Sequence, residues 1–187
     1  TEKTAAVAYL RAGFVSRRAL PLEEVCEIAH ARGVPVIVDG ASTLPPRENL
    51  RKYTAQGADM VIYSGGKGVR GPQGTGILCG RADLIEAAMA NAAPHRFMGR
   101  GMKVAKEEII GLLTALQIFV EEDEEAENRR YTEMSRSVVD ALVEIPGLGV
   151  TVEHDEYDYL VPMAVLELGK DWNGPSPAEL QEALKAG

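Results

Sequence analysis

Cysteine is scarce in this sequence: Cys26 and Cys79 are the two among 187 residues. Two thiols are too few for a disulfide framework or a structural zinc site. No apolar run exceeds a few residues, which excludes a helix that spans a bilayer. The opening residues, Thr1-Glu2-Lys3-Thr4, lack the basic-then-apolar pattern of a signal peptide. Low-complexity tracts and internal repeats are absent too. Basic residues are in the minority, 20 against 28 acidic ones, for a net charge of −8. That balance repels phosphate backbones and argues against nucleic acid, short of a local basic patch. What remains is 45% hydrophobic and 26% charged, the composition of a globular protein. A cytoplasmic location is the plain expectation.

Hydrophobic patterning divides the chain. Residues 5–10 read as a strand with almost no lead-in. Leu20-Pro21-Leu22-Glu23-Glu24-Val25 opens a helix with proline in its first turn, and Gly33 marks the end. Leu22, Val25, Cys26 and Ala29 form its apolar stripe. Val34-Pro35-Val36-Ile37-Val38 is an apolar run of the kind buried on both faces of a parallel sheet, and it ends in Asp39. A helix over 47–56, a strand over 59–63, a short strand over 75–79 and a helix over 81–92 follow. This alternation predicts an α/β layer with a mostly parallel sheet.

From about residue 104 the pattern turns helical, with Ile109, Leu112, Leu113, Leu116, Phe119 and Val120 at helical spacing. The acidic run 121–125 reads as a solvated helical face, with Arg129 and Arg130 placed to offset it. Helical periodicity continues to Pro146-Gly147, and residues 149–153 and 163–168 read as strands. Ser176-Pro177-Ala178-Glu179 is a capping-box start. The sheet opens at residue 5 and the last helix has barely begun at Gly187. The expectation is an incomplete piece of a larger fold.

Two strand ends carry the chemistry. Asp39 closes a buried strand, where a carboxylate needs a cation or hydrogen bonds. Its plain role is a cap or loop hydrogen bond; its functional role is to hold a protonated ring nitrogen. Lys67 lies in Ser64-Gly65-Gly66-Lys67-Gly68, either solvated or serving as a nucleophilic amine that forms a Schiff base. The glycines permit close backbone approach and positive φ, and with Ser64 they offer donors to a phosphate. A nucleotide P-loop is rejected: Gly68 follows Lys67 where Ser or Thr is required, and no helix starts there.

Val38-Asp39-Gly40-Ala41-Ser42, Ser64-Gly65-Gly66-Lys67 and Gly71-Pro72-Gln73-Gly74-Thr75-Gly76 together resemble fold-type I pyridoxal 5′-phosphate (PLP) enzymes of the aminotransferase class V grouping. The segment from Pro94 to Glu108 is similar to the selenocysteine synthase-like branch, which includes seryl-tRNA selenium transferases and D-glucosaminate-6-phosphate ammonia-lyase-type enzymes. The likeness runs from about Thr4 to Glu125. It implies that residues 1–103 are part of a PLP-binding large domain with flanking helices, and that 104–187 are linking helices and an incomplete small α+β domain. It also implies that Lys67 holds the cofactor and shuttles the substrate α-proton, and that Asp39 pairs with the ring nitrogen. Ser42 would stand near the ring's 3′-oxygen and Ser64 at the phosphate. Arg70, Arg96, Arg100 and Lys103 are candidates for anionic substrate groups, against surface charge as the plain alternative. His95 is a candidate for proton transfer, against a loop backbone contact. The resemblance implies that the upstream part of the cofactor cup lies outside these residues, and the parent is expected to be a homodimer or larger.

Departures narrow the activity. Cysteine desulfurases of the grouping carry His before the lysine, where this chain has Gly66. Cys26 and Cys79 read as buried packing residues. The leading expectation is a PLP-dependent lyase that eliminates water from a small amino acid or amino sugar acid and releases ammonia. A seryl-tRNA selenium transferase is the same-fold alternative, disfavoured by the acidic charge. The alternative from another class is a truncated, non-catalytic chain with a structural or interaction role. No metal is implied.

Overall fold

β1 (Val7–Leu10), β2 (Val36–Asp39) and β3 (Met60–Ser64) run parallel, and β4 (Gly76–Gly80) returns antiparallel beside β3. The computed structural model describes residues 2–16 and 18–186. Helices α1 (Gly13–Ser16) and α2 (Leu22–His30) join β1 to β2, and α3 (Asn49–Ala55) joins β2 to β3. Such crossovers are what parallel pairing requires, whereas β3 and β4 are joined by loop 65–75 alone and pair antiparallel. After β4 come α4 (Ala82–Asn91), a 3₁₀ turn at Arg100–Met102, and α5 (Lys106–Glu121). The chain forms two compact units, one of Thr1–Glu124 with Glu156–Leu160 and one of Glu125–Asp155 with Val161–Gly187.

In the first unit every second strand residue faces one core. Val36, Val38, Val61 and Tyr63 are buried there with Val7, Tyr9, Ile77 and Cys79 packed alongside. Leu22, Cys26 and Ala29 of α2, Tyr53 of α3 and Phe119 of α5 close it. Each fully buried valine or larger side chain contributes about 1.5–3 kcal/mol relative to exposure. The opposite sheet face is open: Leu10, Ile62 and Leu78 are 43%, 40% and 41% exposed. The expectation that residues 34–38 are buried on both faces is therefore corrected. Ile37 is half-buried and Asp39 exposed, because the helices cover one side of the sheet.

The acidic run is corrected as well. α5 ends at Glu121, Glu122 takes extended backbone and the next helix begins at Glu124, so the run 121–125 straddles a helix break at 122–123 and is not one continuous helical face. Glu122 and Glu124 pair with the half-buried Arg47, and Arg129 pairs with Glu125 at 3.8 Å.

The second unit holds α6 (Glu124–Leu142), the antiparallel pair β5 (Leu148–Glu153) and β6 (Met163–Leu168), and α7 (Pro177–Ala186). The capping box forms as expected. Ser176 Oγ and its backbone N–H both donate to Glu179 Oε2, at 2.7 and 2.9 Å. Among the described residues no helix is long and apolar enough to cross a membrane.

Candidate active site

Three adjacent parallel strands end side by side, in Leu10, Asp39 and Ser64. The register pairs Leu10 with Asp39 and Asp39 with Ile62, two residues before Ser64. Ligands of open α/β sheets bind beyond these carboxyl ends. Asp39 Oδ1 accepts the Ala41 N–H at 3.0 Å, the loop hydrogen bond named as its plain role. This leaves its second carboxylate oxygen for another donor.

Lys67 is exposed in the turn after β3, and its Nζ donates to Ser42 Oγ at 2.8 Å. Ser42 lies just past Asp39, so the fold brings together the amine, the hydroxyl and the sheet end that carries the carboxylate. The loop is held by Gly65 N–H to Thr75 O at 3.0 Å and Gly71 N–H to Gly65 O at 2.8 Å. Its glycines serve close approach: a Cβ would come 2.2 Å from Thr75 Oγ1 at Gly65 and 2.0 Å from Leu44 O at Gly68. Neither Gly65, Gly66 nor Gly68 has positive φ; the left-handed residue of the loop is Arg70, at φ 62°. That part of the sequence expectation is corrected.

The cationic candidates separate. Arg70 pairs with Glu122. Arg96, Arg100 and Lys103 are exposed on the segment between α4 and α5, together with His95 and the apolar Phe97, Met98 and Met102. Cys26 is buried and its thiol is pushed up by burial and by the nearby Asp59 and Glu23 carboxylates. Cys79 is half-buried in β4, with burial raising its thiol too. Arg11, next after β1, stands at the same sheet end, although its sequence context marks it only as a residue following a strand. Among the described residues no group of three or more His, Cys, Asp and Glu is placed to hold a metal ion.

The aminotransferase class-V family model matches residues 1–167. The chain belongs to the aminotransferase class-V family. It is 36% identical over its whole length to a 5′-C-glycyluridine monooxygenase-decarboxylase from a Streptomyces species. It is 35% identical over 83% of its length to a D-glucosaminate-6-phosphate ammonia lyase from Salmonella typhimurium. It spans 45% and 39% of those two proteins, so it covers less than half of either. The crystal structure of the Escherichia coli cysteine desulfurase CsdA matches all of this chain and 48% of that one, with a TM-score of 0.60 and 19% identity. That likeness shows the fold, the fold-type I arrangement of an α/β sheet with flanking helices.

The cofactor of this class-V chain is PLP, and the residues present fit it. Asp39 offers a carboxylate for a ring nitrogen and Lys67 a primary amine for an aldehyde carbon. The Ser64 hydroxyl and the N–H groups of Gly66, Lys67 and Gly68 donate to no acceptor among the described residues, which leaves them for a phosphate.

Proposed function

We propose that this chain carries the lysine-bearing part of a PLP-dependent lyase that acts on a small anionic amino acid or amino sugar acid. The observation that carries it is the Lys67–Ser42 hydrogen bond at the sheet end shared with Asp39. The net reaction converts a 2-amino-3-hydroxy acid to a 2-oxo acid and ammonia, water being lost from Cα–Cβ and regained on hydrolysis. When bound, the cofactor supplies an electron-withdrawing ring that stabilises negative charge at the substrate α-carbon.

The chain's own groups do the rest. Lys67 is the residue that bonds the cofactor, and once released its Nζ accepts the substrate α-proton. Ser42 orients that amine, which limits the rotamer freedom of a long exposed side chain. Asp39 holds a proton at the ring nitrogen, and Ser64 with the loop N–H groups takes the phosphate. Arg96, Arg100 and Lys103 are the cations assigned to substrate oxyanions, with Arg70, paired with Glu122, as a further candidate. The Salmonella relative, named for releasing ammonia from a phosphorylated amino sugar acid, supports this substrate class. The family's active sites at subunit interfaces support a homodimer or larger.

The test is to add PLP, follow the visible absorbance band and treat the protein with borohydride. Covalent label on Lys67 in the wild type, and no ammonia release by Lys67→Ala, are expected. A Lys67→Ala protein that keeps lyase activity sinks the proposal, and a chain that takes up no PLP supports a non-catalytic role. Oxidative decarboxylation is the second reading, favoured by the Streptomyces relative that matches the whole chain. Oxygen consumption with CO₂ release, in place of ammonia, is its signature.

A further inference from the structure

Arg11 follows β1 directly, and its backbone N–H donates to Asp39 O at 2.9 Å. Its side chain is half-buried. Nη2 donates to the Glu156 carbonyl at 3.0 Å, and the guanidinium lies 4.8 Å from the centroid of the Tyr157 ring. One of five N–H donors is thereby used, and neither partner cancels the positive charge. No carboxylate among the described residues pairs with it. The Glu156 carboxylate is engaged by Lys52 at 3.2 Å.

Arg11 lines a cavity of about 220 Å³ together with Ser42, Tyr53, Tyr157 and Asp158. Ser42 Oγ accepts from Lys67 Nζ at 2.8 Å, so one residue both lines the cavity and contacts the amine. The volume lies below the roughly 300–1,000 Å³ of drug-sized pockets and suits a small polar molecule. An unneutralised guanidinium, already oriented by a ring face and a carbonyl, loses little freedom when it pairs with a carboxylate or phosphate.

We propose that Arg11 binds an oxyanion end of the substrate, a carboxylate or a phosphate, in this cavity. The Glu156 carbonyl and the Tyr157 ring hold the guanidinium in place. The assignment rests on the reading of Lys67 as the cofactor lysine, since Ser42 relates the cavity to that amine.

Isothermal titration with racemic serine, phosphoethanolamine and ethanolamine tests it, before and after PLP loading. Serine presents a carboxylate, phosphoethanolamine a phosphate, and ethanolamine neither. The expected result is that at least one oxyanion ligand binds about tenfold or more tighter than ethanolamine. The preferred ligand identifies the group. Arg11→Gln removes the preference, whereas Arg11→Lys, which keeps the charge without the planar fork, retains part of it. A wild-type protein without the preference, or an Arg11→Gln protein that melts like wild type and keeps it, overturns the proposal. Failure of the PLP band to form strikes the Lys67 reading instead, so the two failures are separable.

Discussion

Gly68 leaves no room for a methyl group, because a Cβ there would sit 2.0 Å from the Leu44 carbonyl oxygen and 2.6 Å from its carbon. Leu44 is two residues beyond Ser42, so a shift of that backbone reaches the hydroxyl that receives Lys67. Gly68→Ala is expected to cost about 1–3 kcal/mol, as overpacking does, and to weaken PLP uptake. Urea denaturation and absorbance titration measure the two effects. Gly101, which a Cβ would leave in open space, is the control, with Gly101→Ala near neutral. At this scale Asp39, Ser64 and Lys67 are legible in sequence because each stands at or just past the end of an apolar strand. Arg11 is not legible, because the groups that orient it lie 145 residues away.

Among the elements, the end of α5 is decided by charge pairing. Arg47, 13% exposed, donates to Phe119 O, reaches Glu122 and Glu124, and lies 5.0 Å from the Phe119 ring centroid. Deleting Arg47 removes a mostly buried guanidinium from Glu122 and Glu124, whose side chains are 31% and 30% exposed, while Glu122 keeps Arg70. Arg47→Ala is therefore expected to lower stability by about 1–2 kcal/mol in chemical denaturation, less than for a fully buried pair. Glu125→Gln, at a side chain 92% exposed, is expected to stay within about 0.5 kcal/mol. Sequence periodicity finds α5 and the Ser176–Glu179 capping box, since both are local patterns. It misreads the run 121–125 because a row of acids looks the same on a solvated helix as at a break satisfied by a distant arginine.

For the whole molecule, acid stability hangs on Asp59, which ties α2, β2 and the residues flanking β3 and β4 together at the sheet end remote from Lys67. Its Oδ2 accepts from Val36 N–H and His30 Nε2, each at 2.7 Å, and its Oδ1 from Arg81 at 2.8 Å. Burial alone would raise its carboxyl, but the hydrogen bonds from Val36, His30 and Arg81 outweigh that and hold it below the usual range. A folded pKa depressed below about 3.9 gives stability that is present above that value and lost as pH falls through the folded one. Asp59→Asn is expected to cost about 2 kcal/mol at pH 7 and to flatten the acid limb below about pH 4. Denaturation midpoints across pH 2–7 check both. An equally steep acid limb in the variant would show that other carboxylates control it.

By itself the sequence determines the strand–helix alternation, the sheet end on which Asp39 and Lys67 emerge, and the family these residues point to. Those are local properties, set by hydrophobic period, turn chemistry and the order of motifs. Only the tertiary structure decides that helices cover one sheet face, that Lys67 reaches Ser42, and that segment 156–160 returns to hold Arg11. The physical reason is that these contacts join residues far apart in the chain, through packing and charge pairing that no short stretch of sequence encodes.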